Sequence, residues 1–231
     1  MHKITPSYYS GFRPKDLLSR KYSHILLLIF WPLFGIAFLI LENWQRNYYP
    51  IYSPIDDFIP FCPPFIFAYY FWFIFMIGML VYTFFYNLRS FRQYMWFIII
   101  TYTVTLIIYI LFPNRQDLRP EVKPDGLITS FICHTYAFDT NTNVCPSIHV
   151  LGSLAVSFTA KNCEQMQRRW MQIAIHISTA LICASTVFLK QHSIIDVVAA
   201  LVVAALVYPL VYGKGRVAST LSNGRAVTCA Q

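Results

Sequence analysis

Two short polar segments interrupt the apolar second half of the chain, and both carry histidine. The first is Cys145-Pro146-Ser147-Ile148-His149, and the second is Lys190-Gln191-His192-Ser193-Ile194-Ile195-Asp196. Each stands at the start of a long apolar run typical of a membrane helix. Ionisable groups beside hydrocarbon are costly, so they indicate a functional site. Two histidines and a carboxylate predict an acid, a nucleophile and a base for phosphoryl chemistry at a membrane face.

His192 and Asp196 are four residues apart, so on a helix they share one face within contact distance. A carboxylate beside an imidazole fixes its tautomer and stabilises its cation, as an oriented base or nucleophile requires. Asp196 also begins a strongly apolar run, in which an unpaired carboxylate is expensive. The alternative interpretation is a purely structural ion pair that closes a helix end.

The first segment has the features of a helix start that binds anions. Pro146 suits the first turn of a helix, where its missing N–H would be unpaired anyway. The free amides of Ser147, Ile148 and His149 then point outward at the positive end of the helix dipole. Ser147 adds a hydroxyl donor and His149 an imidazole near the same point. The alternative is a Pro-Ser helix start with an interfacial histidine.

Cations upstream and beside these segments are candidates for phosphate binding. Arg115 and Arg119 lie in a loop bounded by Pro113 and Pro120, and arginine binds phosphate oxygens in a bidentate manner. Lys190 comes two residues before His192 and is a further candidate. Juxtamembrane cations that are solvated, or that contact lipid headgroups, are the alternative.

The composition indicates which elements position these residues. The chain has 231 residues, of which 57% are hydrophobic and 12% charged, against about 25% charged in an average soluble domain. We therefore expect an all-α, polytopic membrane helix bundle. Six apolar stretches have about the 17–25 residues that a bilayer requires. They cover 24–41, 61–86, 94–112, 147–162, 170–189 and 193–212. Ser153, Ser157 and Thr159 in the fourth stretch predict a helix buried among the others.

Charge alternates along the segments between these stretches and predicts the topology. The tail 1–23 has five basic residues and one acidic residue, whereas the loop after the first stretch has one basic and three acidic residues. The orientation rule then places both termini in the cytoplasm and the loop 113–146 and the turn 190–192 outside. His149 and His192 thus share the outer face. The domains are a tail at 1–23, a catalytic membrane domain at 24–212 and a cytoplasmic tail at 213–231.

The overall charge and the cysteines add few constraints. Cytoplasmic anchoring near anionic lipid accounts for the net charge of +8, so we expect no nucleic-acid partner. The six cysteines show no zinc-finger spacing. Of the three on the predicted outer side (Cys62, Cys133 and Cys145), a Cys133–Cys145 disulfide is one open pairing.

Three segments together resemble the motifs of the integral-membrane branch of the type 2 phosphatidic acid phosphatase superfamily. That family has Lys-x6-Arg-Pro, Pro-Ser-Gly-His and Ser-Arg-x5-His-x3-Asp, in this order. The chain shows Arg119-Pro120, then Pro146-Ser147-Ile148-His149, then Ser185-Thr186 followed after five residues by His192 and Asp196. Order, spacing and expected topology match over roughly residues 60–212.

The chain departs from the family pattern at three positions. Phe112 stands at the lysine of the first motif, Ile148 at the glycine of the second and Thr186 at the arginine of the third. Two phosphate-binding cations of the family are therefore missing, and Arg115 and Lys190 are their candidate replacements. The missing third-motif arginine also resembles the branch of inositol phosphorylceramide and sphingomyelin synthases, which pass the phosphoryl headgroup to a second lipid.

The resemblance implies a mechanism through a phosphohistidine. His192 attacks phosphorus, Asp196 orients it, and His149 protonates the leaving oxygen and then activates the acceptor. Arg119 and Ser147 hold the equatorial oxygens. This scheme requires neither a metal nor a cofactor. A phosphatase for a lipid phosphate of the phosphatidate or prenyl-diphosphate type is the first expectation. A headgroup phosphotransferase is the second, and an inactive membrane protein or a transporter the third.

A metal site is a further alternative, since His134, His149, His192 and Asp196 all lie on the predicted outer half. The compactness of the chain favours a bacterial plasma membrane, with the site facing outside. The sequence leaves the identity of the lipid and the oligomeric state open.

Overall fold

The fold of residues 6–44 and 47–213, which the computed structural model describes, is a helical bundle. Its α-helices are α1 (Phe30–Asn43), α2 (Ile55–Phe58), α3 (Ile66–Tyr86), α4 (Leu88–Leu111), α5 (Leu127–Phe138), α6 (Ile148–Asn162), α7 (Arg169–Phe188) and α8 (Ile194–Tyr212). Short 3₁₀ turns cover Pro6–Tyr9, Pro14–Asp16, Ser23–Ile29, Pro63–Phe65 and Glu164–Met166. Two strands, β1 (Tyr49–Pro50) and β2 (Asn114–Arg115), pair in parallel between two loops.

The prediction of an all-α bundle with several membrane-length helices is confirmed. Five helical segments of the described chain are long and apolar enough to cross a bilayer: Ser23–Asn43, Pro63–Tyr86, Leu88–Leu111, Arg169–Phe188 and Ile194–Tyr212. The stretch predicted at 147–162 forms α6, whose 15 residues reach only about 23 Å against a hydrocarbon core of about 30 Å. A sixth span and two cytoplasmic termini stay predictions.

α6 is the centre of the bundle, as its polar small residues predict. It packs against α3, α4, α7 and α8, and Ser153, Ser157 and Thr159 are buried. Gly152 permits this approach, because a Cβ there would lie 2.8 Å from the Tyr102 hydroxyl and 2.9 Å from Trp72 Nε1. Small residues let helix backbones come close where lipid offers no competing hydrophobic force.

Two features of the fold differ from the sequence-based expectation. α4 begins at Leu88 rather than at 94, because the Asn87 side chain caps it by accepting from the Ser90 amide at 3.0 Å. The loop 113–146 contains the unexpected helix α5. Of the predicted tails, 6–23 carries 3₁₀ turns, whereas 1–5 and 214–231 lie outside the described residues.

Candidate active site

His192 and Asp196 are in contact in the site, as their i,i+4 spacing predicts. His192 Nδ1 lies 3.1 Å from Asp196 Oδ2, and both side chains are buried. α8 begins one residue after Ser193, whose amide donates to the same Oδ2 at 3.0 Å. The Asp196 carboxylate therefore both caps the start of α8 and orients the His192 imidazole.

The turn that carries His192 is closed by Thr186. The amides of Gln191 and His192 donate to the Thr186 carbonyl at 2.9 and 3.0 Å. The Thr186 hydroxyl donates to the Cys183 carbonyl at 2.8 Å. Thr186, which stands at the arginine position of the motif, thus holds the turn through its carbonyl. Its hydroxyl bonds to the preceding turn of α7.

Asp56 of α2 holds the same turn from the first loop. Its carboxylate accepts from the Ser193 hydroxyl at 2.6 Å and from the Ile194 amide at 2.8 Å. Its carbonyl accepts from Lys190 Nζ at 2.6 Å. Asp56 is 1% exposed. The sequence offered only an acidic residue in a loop, so this contact escaped prediction.

His149 lies at the start of α6, beside the turn that carries His192. Its ring is 4.5 Å from the rings of Tyr69 and Trp72 and 5.8 Å from that of His192. The residue before α6 is Ser147, whose hydroxyl oxygen accepts from the Val150 amide at 3.4 Å. The Ser147 amide donates to the Asp196 carbonyl at 3.2 Å. The two predicted polar segments therefore meet at one end of the bundle.

A second carboxylate, from Asp139 at the end of α5, stands beside His149. Asp139 Oδ2 is 3.9 Å from His149 Nε2 and accepts a hydrogen bond from the Tyr69 hydroxyl. Each histidine of the site thus has an aspartate next to it. No fixed spacing connects Asp139 to His149, so the sequence alone does not predict this contact.

Arg119 reaches the site through three hydrogen bonds. It donates to the carbonyls of Tyr136 and Asp139 at 3.0 and 2.6 Å, and to Gln191 Oε1. Its guanidinium lies over the Tyr136 ring at 4.6 Å. Burial lowers the pKa of Arg119, and the Asp139 carboxylate opposes this shift. Arginine stays charged in such surroundings, so Arg119 supplies a fixed positive charge.

Three buried nitrogens of the site have no hydrogen-bond partner among the described residues. They are Arg119 Nε, Gln191 Nε2 and His149 Nδ1. Gln191 is 2% exposed and already holds Arg119 through its oxygen. Buried donors are almost always paired in native proteins, and each exception calls for an explanation. Arg119 and Gln191 together have the donors that an oxyanion requires.

Two predicted phosphate-binding residues are placed elsewhere. Arg115 lies on β2, with its side chain half exposed and paired with Asp117 at 3.2 Å. The amino group of Lys190 donates a hydrogen bond to the backbone carbonyl of Asp56. Arg115 thus pairs within its own loop, whereas Lys190 bonds to the loop that follows α1.

The metal and disulfide alternatives gain no geometric support. Nowhere in 6–44 or 47–213 do three His, Cys, Asp or Glu side chains form a group that could hold a metal. His134 is on the exposed side of α5. Cys133 and Cys145 are free thiols, and the Cys133 thiol donates to the Val122 carbonyl at 3.3 Å. Burial and the nearby Asp196 raise the pKa of Cys145 to about 12.

The chain matches no protein-family model, no curated protein and no solved structure.

Proposed function

We propose that this protein is an integral-membrane enzyme that cleaves a lipid phosphate through a phosphohistidine intermediate. The observation that carries the proposal is the 3.1 Å contact from His192 Nδ1 to Asp196 Oδ2, with the His149 ring 5.8 Å away. A hydrogen bond from Nδ1–H to the carboxylate places the lone pair of the imidazole on Nε2. Nε2 is then the nucleophilic atom.

The two steps follow from this arrangement. Nε2 of His192 bonds to phosphorus, the bond from phosphorus to the leaving oxygen breaks, and His149 gives that oxygen a proton. Water then attacks the phosphohistidine, His149 takes a proton from this water, and the phosphorus–nitrogen bond breaks. Asp196 stabilises the imidazolium that forms in the first step. The products are the lipid alcohol and phosphate.

Arg119 and Gln191 are the proposed donors to the phosphate oxygens. Both carry a buried, unpaired N–H, and their side chains are hydrogen-bonded to each other. Preorganised donors aimed at developing negative charge supply much of the rate enhancement in such reactions. Ser147 contributes less directly, since its hydroxyl caps α6.

A second candidate is a headgroup phosphotransferase, and the charge balance favours it. In the described structure Arg119 is the one lysine or arginine placed against Asp139 and Gln191, and the carboxylates of Asp139 and Asp196 stand nearby. A phosphodiester carries one negative charge and a phosphomonoester about two at neutral pH. A single guanidinium matches the phosphodiester better, and an alcohol would then replace water as acceptor.

The proposed setting is a plasma membrane of bacterial type, with the site on the outer face. Five apolar helices are compatible with a membrane protein. The basic tail and short basic loops, which the orientation rule assigns to the cytoplasm, support the outward position of the site.

A substrate panel tests the activity. Purified protein in lipid nanodiscs is incubated with radiolabelled phosphatidate, prenyl diphosphate, or a phospholipid plus an alcohol acceptor. Free phosphate indicates the hydrolase, and a new labelled lipid indicates the transferase. A base-stable, acid-labile label should also appear on the protein during turnover.

Two variants accompany the panel. His192→Ala should abolish product and protein label, whereas His176→Gln should retain both, because His176 lies on α7 and bonds only to Ser157 in the described structure. Folded wild-type protein that forms no product from the panel, or His192→Ala protein that keeps turnover, overturns the proposal.

A further inference from the structure

The exposed face of α5 is a mainly apolar stripe without acidic, lysine or arginine side chains. Leu127, Phe131, His134 and Phe138 recur at helical spacing, and all four are exposed. Leu127 is 73% exposed and Phe138 is 75% exposed, while Ile132 on the opposite face is fully buried. No acidic residue, lysine or arginine occurs between 127 and 138. A water-facing helix would carry charge on this side.

α5 is too short to cross a membrane but well placed to lie at its surface. Its 12 residues span about 18 Å, and apolar helices of 10–14 residues are often interfacial. Thr135 donates to the Tyr70 hydroxyl at 2.9 Å near the start of α3, and the Tyr136 hydroxyl donates to the Leu189 carbonyl just after α7. α5 therefore lies across the ends of two membrane-length helices.

The stripe continues the lipid-facing surface of α3. Phe67, Phe71 and Ile74 are exposed along one side of α3, with Ile74 68% exposed. The Phe131 ring lies 5.8 Å from the ring of Tyr70, which connects the two surfaces. One uninterrupted apolar surface thus runs from the side of a membrane-length helix onto α5. This continuity indicates that lipid covers the α5 stripe as well as the exposed side of α3.

We propose that α5 is an interfacial helix whose stripe inserts into the bilayer leaflet next to the active site. Its C-terminal end holds the site, because the carbonyls of Tyr136 and Asp139 accept from Arg119. Phe138 directly precedes Asp139, whose carbonyl accepts from Arg119, so lipid that contacts Phe138 is close to this arginine. α5 thereby forms a lateral edge of the site at the depth of the lipid phosphates. The assignment of α5 to the bilayer does not depend on the proposed activity.

Photo-crosslinking in vesicles tests this position. p-Benzoylphenylalanine is placed singly at Phe131 or Phe138, and the full-length protein is reconstituted in vesicles of phosphatidylcholine and phosphatidylglycerol. Ile74 on α3 serves as the lipid-facing reference, and Asp125 in the loop before α5 as the aqueous reference. Leu127 is a further position in case one aromatic replacement does not fold.

Mass spectrometry of the irradiated protein gives the result. We expect phospholipid adducts at Phe131 and Phe138 at more than half the yield found at Ile74, and less than a tenth of that yield at Asp125. Yields at the α5 positions that equal the Asp125 yield overturn the proposal. Protein–protein dimers in place of lipid adducts also overturn it, since the stripe would then bind a second copy.

Discussion

The Asp56 carboxylate accepts a 2.6 Å hydrogen bond from the Ser193 hydroxyl, although 137 positions of sequence separate the two residues. This bond ties the loop after the first membrane-length helix to the turn that presents His192. The position of His192, the proposed nucleophile, therefore depends on a residue outside all three family-like motifs.

Replacing Asp56 with alanine should lower stability. Asp56→Ala leaves the Ile194 amide and the Ser193 hydroxyl without their buried acceptor, which destabilises the fold by about 1–3 kcal/mol. Asp57→Ala is the matched control, because Asp57 is exposed and bonds to Tyr52. Thermal unfolding of the purified proteins in detergent gives the comparison. Equal melting temperatures of the two variants would contradict the anchoring role of Asp56.

Gln191 should affect the rate of turnover. Gln191→Leu removes one proposed donor to the charge that develops on the phosphate, so kcat/KM for the best substrate of the panel should fall up to about tenfold, mainly through kcat, because one hydrogen bond contributes about 0.5–1.5 kcal/mol. Arg115→Ala is the control, since Arg115 pairs with Asp117 at the surface. Steady-state kinetics in nanodiscs provides both constants. A larger effect from Arg115→Ala would contradict the role of Gln191 and support Arg115 as the replacement for a missing family cation.

The packing of α6 should be sensitive to one methyl group. Gly152→Ala places a Cβ 2.8 Å from the Tyr102 hydroxyl and 2.9 Å from Trp72 Nε1, and such overpacking costs about 1–3 kcal/mol. Gly78→Ala on α3 meets nothing within 4 Å and should be neutral or stabilising, since alanine favours helix. The difference in melting temperature between the two variants measures the effect. A stable Gly152→Ala protein would show that α3 and α4 can move away from α6.

The Cys145 thiol should react slowly and in a pH-dependent way. Burial and Asp196 raise its pKa to about 12, so the reactive thiolate is scarce at pH 8 and grows about tenfold with each pH unit below the pKa. Asp196→Asn removes the neighbouring negative charge, lowers the pKa and should speed alkylation at pH 8. The measurement uses protein in which Cys145 is the single cysteine and a small water-soluble maleimide. An unchanged alkylation rate in Asp196→Asn would show that the Asp196 carboxylate does not raise the pKa of the Cys145 thiol.

The sequence predicted those parts of the site that depend on local spacing. The contact of His192 with Asp196 follows from their four-residue separation on a helix, and the burial of α6 follows from its small polar residues. Membrane-length helices were found because apolar length is a strong signal. The short helix α5 was not predicted, because its 12 residues lie inside the segment 113–146, which the charge pattern indicates as a single loop.

Contacts between distant loops were not predictable from one sequence. Asp139 and Gln191 reach their partners His149 and Arg119 only after the helix ends have come together. The contact of Lys190 with Asp56, which is 134 positions away, was equally outside the reach of local spacing. Side-chain type indicates what a residue can bind, whereas the fold decides which partner it meets.

The bond from Arg119 to Gln191 spans 72 positions and has a consequence for biosynthesis. A chain made from its N-terminus exposes Arg119 and Asp56 long before residues 190–194 emerge. Until then both charged side chains lack the partners that this turn supplies. The turn 190–194 therefore completes the polar end of the bundle last. A ribosome product that stops before residue 190 would carry both charged side chains without the partners that Gln191 and Ser193 supply in the finished protein.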